Sequence, residues 1–116
     1  MTRARVAAVT GHRPQGLEGA DVERLEARVD EVLERLGRHG FGELASGLAE
    51  GADRIVAWRA LAAEWAVHAV LPFEIGRYRQ DFATEESRRE FQMLLDRCVD
   101  IDEPAAGASV RAGERR

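Results

Sequence analysis

The residues best suited to chemistry in this sequence form a glycine-containing turn over residues 46–53, Ser-Gly-Leu-Ala-Glu-Gly-Ala-Asp. A short apolar run precedes the turn and an alanine-rich run follows it, which predicts a connection between a strand and a helix. The first N–H groups of a helix lack backbone partners and, with the helix dipole, favour an anion such as a phosphate. Gly47 and Gly51 permit positive φ and close approach of a ligand, and Ser46 adds a hydroxyl donor. The alternative is a tight turn that binds nothing.

A second candidate segment, Thr10-Gly11-His12-Arg13-Pro14, follows the first predicted strand. Pro14 favours extended backbone at Arg13, so no helix starts before it. Arg13 can bind a phosphate through two parallel hydrogen bonds, although an exposed turn is the simpler interpretation of this segment alone. His12 has no neighbouring partner that would make it a base or a metal ligand, so a hydrogen-bonded loop residue is the simpler interpretation.

A third candidate segment, residues 72–80, follows another predicted strand, and Pro72 ends that strand. Tyr78 can stack on a base, and Arg77 or Arg79 can approach a phosphate. The alternative is a loop whose aromatic side chains pack at the edge of the domain.

The elements that must position these segments alternate between strands and helices. Strands are predicted at residues 4–9, 41–45, 67–71 and 98–101. Two helices are predicted at residues 21–37, with Asp21 as N-cap, and at 52–65. A third helix is predicted to start at a capping box at Ser87, or earlier at Asp81 or Thr84. This order implies parallel strands joined by right-handed crossovers, with the first strand buried. The fold class is therefore α/β, a Rossmann-like three-layer fold with a parallel sheet of about four strands flanked by helices. The three candidate segments are expected to meet at the edge where the strands end.

The length and composition set the class of protein. A chain of 116 residues predicts one domain, assigned to residues 1–103, with residues 104–116 as a loop or disordered tail. A net charge of −4 disfavours non-specific binding to nucleic acid. The single cysteine, Cys98, forms no internal disulfide, and no apolar run has transmembrane length, so we expect a cytoplasmic protein with no membrane partner. No metal site is expected.

Several motifs together resemble one superfamily. They are Val9-Thr10-Gly11-His12-Arg13, the turn at 46–53, and Val70-Leu71-Pro72-Phe73 with Tyr78 and Asp81-Phe82. As a set they resemble the SLOG superfamily of Rossmann-like nucleotide-binding domains, which includes the Smf/DprA DNA-processing proteins and the LOG phosphoribohydrolases. The turn is similar to the Ser-Gly-x-Ala-x-Gly-Ile-Asp signature of the Smf/DprA branch. The other motifs resemble bacterial members proposed to sense nucleotides or nucleotide-derived signals. The resemblance spans residues 6–101.

Two departures from the superfamily bear on function. LOG enzymes carry a later Pro-Gly-Gly-x-Gly-Thr-x-x-Glu segment with catalytic and phosphate-binding groups, and this sequence lacks it. Related sensor-type domains continue past the position of Ala112-Gly113 with another strand. The chain therefore resembles the N-terminal part of a longer domain, which would be incomplete here. The resemblance implies binding or sensing of a nucleotide. We expect no enzymatic activity of this chain alone. The alternatives are a nucleotide N-glycosidase that needs the missing segment, and single-stranded DNA binding of the Smf/DprA type.

The expected ligand is a nucleotide, no cofactor is required, and nucleic acid is a less favoured partner. An incomplete sheet edge favours association into a homo-oligomer. Asp53 is interpreted either as a favourable charge in the first helical turn or as a partner of a ribose hydroxyl, and Glu50 is expected to face solvent. No catalytic residue is assigned. The predicted ligand-binding residues are Thr10, Gly11, His12, Arg13, Ser46, Gly47, Leu48, Ala49, Gly51, Asp53, Pro72 and Tyr78.

Overall fold

The computed structural model of the protein describes residues 5–9 and 19–104. The predictions for Thr10, Gly11, His12 and Arg13, and those for the segment 105–116, therefore lie outside the described residues. All structural statements below concern the described ranges.

Within these ranges, strands and helices alternate as the sequence predicts. In chain order the elements are β1 (Arg5–Val9), α1 (Gly19–Arg38), β2 (Phe41–Ser46), α2 (Ala52–Ala62), β3 (Ala66–Val70), α3 (Ile75–Gln80), α4 (Glu85–Arg97) and β4 (Asp100–Asp102). All neighbouring strands pair in parallel, and they follow one another across the sheet in sequence order. The α/β, Rossmann-like fold with a parallel sheet of four strands flanked by helices is thereby confirmed.

The first helix is longer than its apolar stripe indicates. It begins at Gly19, before the predicted N-cap Asp21, which lies instead in the first helical turn. Leu33 is buried, while Arg28 and Glu31 pair across one exposed turn at 3.1 Å. An amphipathic surface helix of this kind follows from apolar residues at helical spacing. No helix in the described part of the chain is long and apolar enough to cross a membrane.

The third helical region differs from its prediction in two ways. The segment 72–80, predicted as a loop, contains the short helix α3. The following helix α4 has its N-cap at Thr84, whose hydroxyl accepts a hydrogen bond from the Ser87 N–H at 3.0 Å. The capping box at Ser87 is therefore wrong and the earlier start at Thr84 is correct, because Ser87 already lies in the first turn.

The core lies between one face of the sheet and the helices. Leu44 of β2 and Val67 of β3 are in register and almost fully buried, and they pack with Ala57 and Phe91 of α2 and α4. The expectation that the first strand is buried is wrong. Among the described strands β1 pairs only with β2, so it is an edge strand, and Val6 is 53 % exposed.

Candidate functional site

A cleft opens where three neighbouring strands end. It measures about 420 Å³, within the usual range for small-molecule sites. We call it the strand-end cleft; its lining residues are Ala8, Val9, Ala45, Ser46, Gly47, Asp53, Val70, Pro72 and Tyr78. The structure brings two of the three predicted segments together here, because the Tyr78 hydroxyl donates to the Gly47 carbonyl at 2.9 Å. Val9, the residue before the second segment, lies in register with Ser46.

The turn at 46–53 uses two of its backbone N–H groups for itself. The Ser46 hydroxyl oxygen accepts from the Leu48 N–H at 3.1 Å, and Oδ2 of Asp53 accepts from the Ala49 N–H at 3.3 Å. Leu48 has a positive φ of 56°, and its side chain is fully buried in the core. A phosphate cradle at Leu48 and Ala49 is therefore not what the structure contains, since both N–H groups are already satisfied inside the turn.

The two glycines of the turn serve different purposes. Gly51, the N-cap of α2, has φ 92°, a left-handed conformation that side chains rarely adopt. Gly47 is not in that region, but a Cβ placed on it would lie 3.6 Å from Oδ2 of Asp53 and 3.6 Å from the Val70 carbonyl oxygen. Gly51 therefore provides the conformation of the turn, and Gly47 provides the space beside Asp53.

Asp53 is the most unusual group of the cleft. Its side chain is only 6 % exposed, and its Oδ1 atom is buried with no hydrogen-bond partner among the described residues. Burial raises the pKa of this carboxyl, against a smaller lowering by the Ala49 N–H. A buried carboxylate oxygen without a partner costs free energy, so it favours a ligand that donates a hydrogen bond to it.

Arg54 is a structural residue of the site that sequence reasoning missed. It is only 3 % exposed, and its Nε donates to the Leu48 carbonyl at 3.1 Å. Its Nη1 donates to the Ser87 carbonyl at 2.9 Å and to Glu90 at 3.0 Å, and the guanidinium lies 4.4 Å from the centre of the Phe82 ring. Arg54 thereby ties the shape of the turn to α4. The available signal was an arginine directly after Asp53 in the first turn of an alanine-rich helix.

Two other predicted roles are corrected by the packing. Tyr78 is 7 % exposed and its ring packs edge-on against Phe91 with centroids 5.4 Å apart, so it cannot serve as an open stacking surface for a base. Its place in the site is to hold the Gly47 carbonyl. Glu50 does not simply face solvent, because its carboxylate accepts a hydrogen bond from the Ser87 hydroxyl.

The basic side chains of the third segment lie away from the cleft lining. The Arg77 guanidinium stacks on the Phe73 ring at 4.3 Å, and Arg79 donates to Gln92 at 2.5 Å. Neither is among the residues that line the strand-end cleft. The phosphate role predicted for Arg77 or Arg79 is therefore not supported by their contacts.

A separate cluster of titratable groups crosses three strands. His68 of β3 contacts Glu43 of β2 at 2.7 Å and Asp100 of β4 at 2.9 Å through its two ring nitrogens. Asp100 first, and Glu43 second, raise the pKa of His68. Because both nitrogens contact carboxylates, this arrangement fits a charged imidazolium that joins the strands. The described residues contain no group of three or more His, Cys, Asp or Glu side chains able to hold a metal ion.

The fold and cleft define an α/β protein with a Rossmann-like parallel sheet and a small-molecule-sized cleft at its strand ends. Neither a model of a known protein family nor a curated protein sequence matches the chain. The resemblance to the SLOG superfamily thus remains a prediction from the motifs, and the function must be argued from the site itself.

Proposed function

We propose that the protein binds a nucleotide or a nucleotide-derived ligand in the strand-end cleft. The observation that carries the proposal is the buried Oδ1 atom of Asp53, an acceptor with no partner in the described part of the chain, in a cleft at the carboxyl ends of parallel strands. This is the general position of ligands in α/β sheets. A nucleotide combines hydrogen-bond donors, an apolar ring and a phosphate, and the cleft offers complements to the first two.

The remaining polar groups fit the same ligand. The Ser46 hydroxyl oxygen accepts from the Leu48 N–H, which leaves its own proton free for donation to a ligand. The positive end of the α2 dipole lies close to Asp53 and favours its carboxylate as an acceptor for hydrogen-bond donors of the ligand. Phosphate binding is assigned to the segment after Val9, with Arg13 as the expected cation and Thr10, Gly11 and His12 beside it.

Calorimetric titration with nucleoside mono- and diphosphates tests the proposal. We expect saturable binding by the parent protein and at least about tenfold weaker binding by Gly47→Ala, because the new methyl group occupies the space beside Asp53. Gly37→Ala is the matched control, since a Cβ at Gly37 meets nothing within 4 Å. It should bind as the parent does.

Three results would count against the proposal. They are the absence of binding to every nucleotide, equal weakening by both glycine variants, and binding that Gly47→Ala leaves unchanged. Tight binding of a single-stranded oligonucleotide without binding of mononucleotides would favour the Smf/DprA-type alternative.

The N-glycosidase alternative has one observation in its favour, namely a cleft carboxyl whose pKa is raised by burial. Glycosidic hydrolysis typically uses a pair of carboxyls, one of which acts as an acid or base. Asp53 is the single carboxyl among the described lining residues, and we therefore propose binding without turnover. Chromatography for free base after incubation with nucleoside monophosphates tests this. Release that disappears in Asp53→Asn would favour the enzyme.

A further inference from the structure

We propose that the inner cleft, defined as the part of the strand-end cleft beside Gly47 and Asp53, takes the ribose hydroxyls of the nucleotide, with Asp53 as their acceptor, and excludes the phosphate. The inference rests on the proposed function and specifies how the ligand lies in the site. It predicts a ligand of the ribonucleotide class, bound sugar-inward.

Two hydrogen-bond acceptors lie close to the position that a side chain at Gly47 would occupy. A Cβ on Gly47 would lie equally close to Oδ2 of Asp53 and to the carbonyl oxygen of Val70, at 3.6 Å from each. The second carboxylate oxygen of Asp53 has no partner among the described residues. A ligand group beside these acceptors is favoured if it donates hydrogen bonds, as the hydroxyls of a ribose do.

The charges of the lining act against a phosphate at this place. Of the nine described lining residues, Asp53 carries a carboxyl and none is Arg, Lys or His. A phosphate there would approach a carboxylate in a largely desolvated setting, where like charges repel strongly. The N–H groups of Leu48 and Ala49, which could have compensated, donate to Ser46 and Asp53 instead.

The apolar part of the lining completes the assignment. Ala8, Ala45 and Val70 come from three adjacent strands and line the same cleft as Asp53. Small apolar side chains suit the flat face of a base, which needs area and no hydrogen bonds. The sugar is therefore assigned to the end at Asp53, the base to the apolar part, and the phosphate to the outside of the cleft.

The experiment compares AMP with 2′-deoxy-AMP and 3′-deoxy-AMP by calorimetry on the parent protein, on Asp53→Asn and on Asp30→Asn. We expect the parent to bind at least one deoxy analogue about tenfold or more weakly than AMP, because a hydrogen bond to a charged acceptor is lost. In Asp53→Asn the preference for AMP should fall to about twofold or less. Asp30→Asn alters a carboxylate outside this cleft, so this variant should keep the preference of the parent protein for AMP.

The outcomes separate the inference from the function on which it rests. If the parent protein binds AMP and both deoxy analogues equally, sugar-inward binding is overturned while nucleotide binding stands. If no nucleotide binds, both fail. Inorganic phosphate that displaces AMP from the parent but not from Gly47→Ala would place the phosphate in the inner cleft and also overturn the inference. The analogue comparison on the parent protein can overturn sugar-inward binding even if Asp53→Asn folds poorly. A preference for AMP that persists in a folded Asp53→Asn overturns Asp53 as the acceptor.

Discussion

Two openings of nearly equal size contain an aspartate in opposite states. The strand-end cleft measures about 420 Å³, and a groove between α1 and α2 measures about 390 Å³. We call the latter the helix groove; it is lined by Asp30, Leu33, Glu34, Gly37, Arg59, Ala62, Ala63 and Trp65. In the helix groove Arg59 donates to both oxygens of Asp30, at 2.9 and 2.8 Å, and this pairing lowers the pKa of Asp30. In the strand-end cleft one oxygen of Asp53 has no partner among residues 5–9 and 19–104, and burial raises the pKa of this carboxyl.

The two openings differ in how their aspartates are hydrogen-bonded and hardly at all in volume. The helix groove satisfies its aspartate within the fold, through a bidentate pair that needs no ligand. The strand-end cleft leaves an acceptor unsatisfied, and a buried group of this kind costs roughly 1–3 kcal/mol until something donates to it. A ligand therefore gains more at Asp53 than at Asp30, which is the physical basis of the proposed function.

The largest expected effect is the loss of unfolding free energy when Arg54, which holds the turn beside the strand-end cleft, is replaced. Arg54 is 3 % exposed and holds the Leu48 carbonyl and Glu90, so Arg54→Met should cost roughly 2–4 kcal/mol of unfolding free energy. Arg59→Met is the matched control. It should cost much less, since the side chains of Arg59 and Asp30 are 35 % and 45 % exposed. Urea denaturation measures both.

Equal losses for the two arginine variants would contradict this difference between the openings. If Arg54→Met loses nucleotide binding at a temperature where the variant is still folded, Arg54 also positions the turn for binding. Arg54→Lys should not restore that position, because one ammonium cannot replace the fork of a guanidinium that reaches Leu48 and α4 together.

A smaller effect on stability separates Gly51, in the turn beside the strand-end cleft, from Gly37 of the helix groove. Gly51→Ala should lower the unfolding free energy by roughly 1–2 kcal/mol, because φ is 92° there and a Cβ is strained at a positive φ. Gly37→Ala should raise it by up to about 1 kcal/mol, since Gly37 lies in helix α1 with open space around it. Thermal unfolding measures both. If Gly51→Ala proved neutral, the strained geometry assigned to the turn would be wrong.

The alternation of elements was predictable because it rests on local signals. Apolar periodicity placed the strands and the first two helices, and a glycine-bearing turn after β2 marked the start of α2. The parallel topology followed from that order. The position of Gly47, Asp53 and Pro72 at one cleft followed in turn, since strand ends of a parallel sheet share an edge.

The parts that failed depend on contacts between distant residues. Arg54 meets Glu90 and Tyr78 meets the Gly47 carbonyl across more than thirty residues of sequence, and no local pattern encodes either contact. The short helix α3 is too brief for periodicity to reveal. The exposure of β1 depends on its place in the sheet, which the order of elements alone does not determine.

The smallest expected effect is the pH dependence of stability, which has opposite signs for the two aspartates. The lowered pKa of Asp30 contributes stability that is present above the unfolded value near 3.8 and is lost as pH falls through the folded value. The raised pKa of Asp53 has the reverse effect. Its ionised form costs stability at neutral pH, and the cost disappears as pH falls through the folded pKa toward 3.8.

Difference curves for the two asparagine variants isolate these contributions, because all other groups titrate alike in the three proteins. We expect Asp30→Asn to be less stable than the parent at pH 7, with the gap closing below about pH 4. We expect Asp53→Asn to be at least as stable as the parent at pH 7, with its advantage shrinking as pH falls, since Asn retains an oxygen to accept from Ala49. Urea denaturation from pH 3.5 to 7 measures both. A loss of stability at pH 7 in Asp53→Asn equal to that in Asp30→Asn would mean that the Asp53 carboxylate is already satisfied, and the distinction between the two openings would then fail.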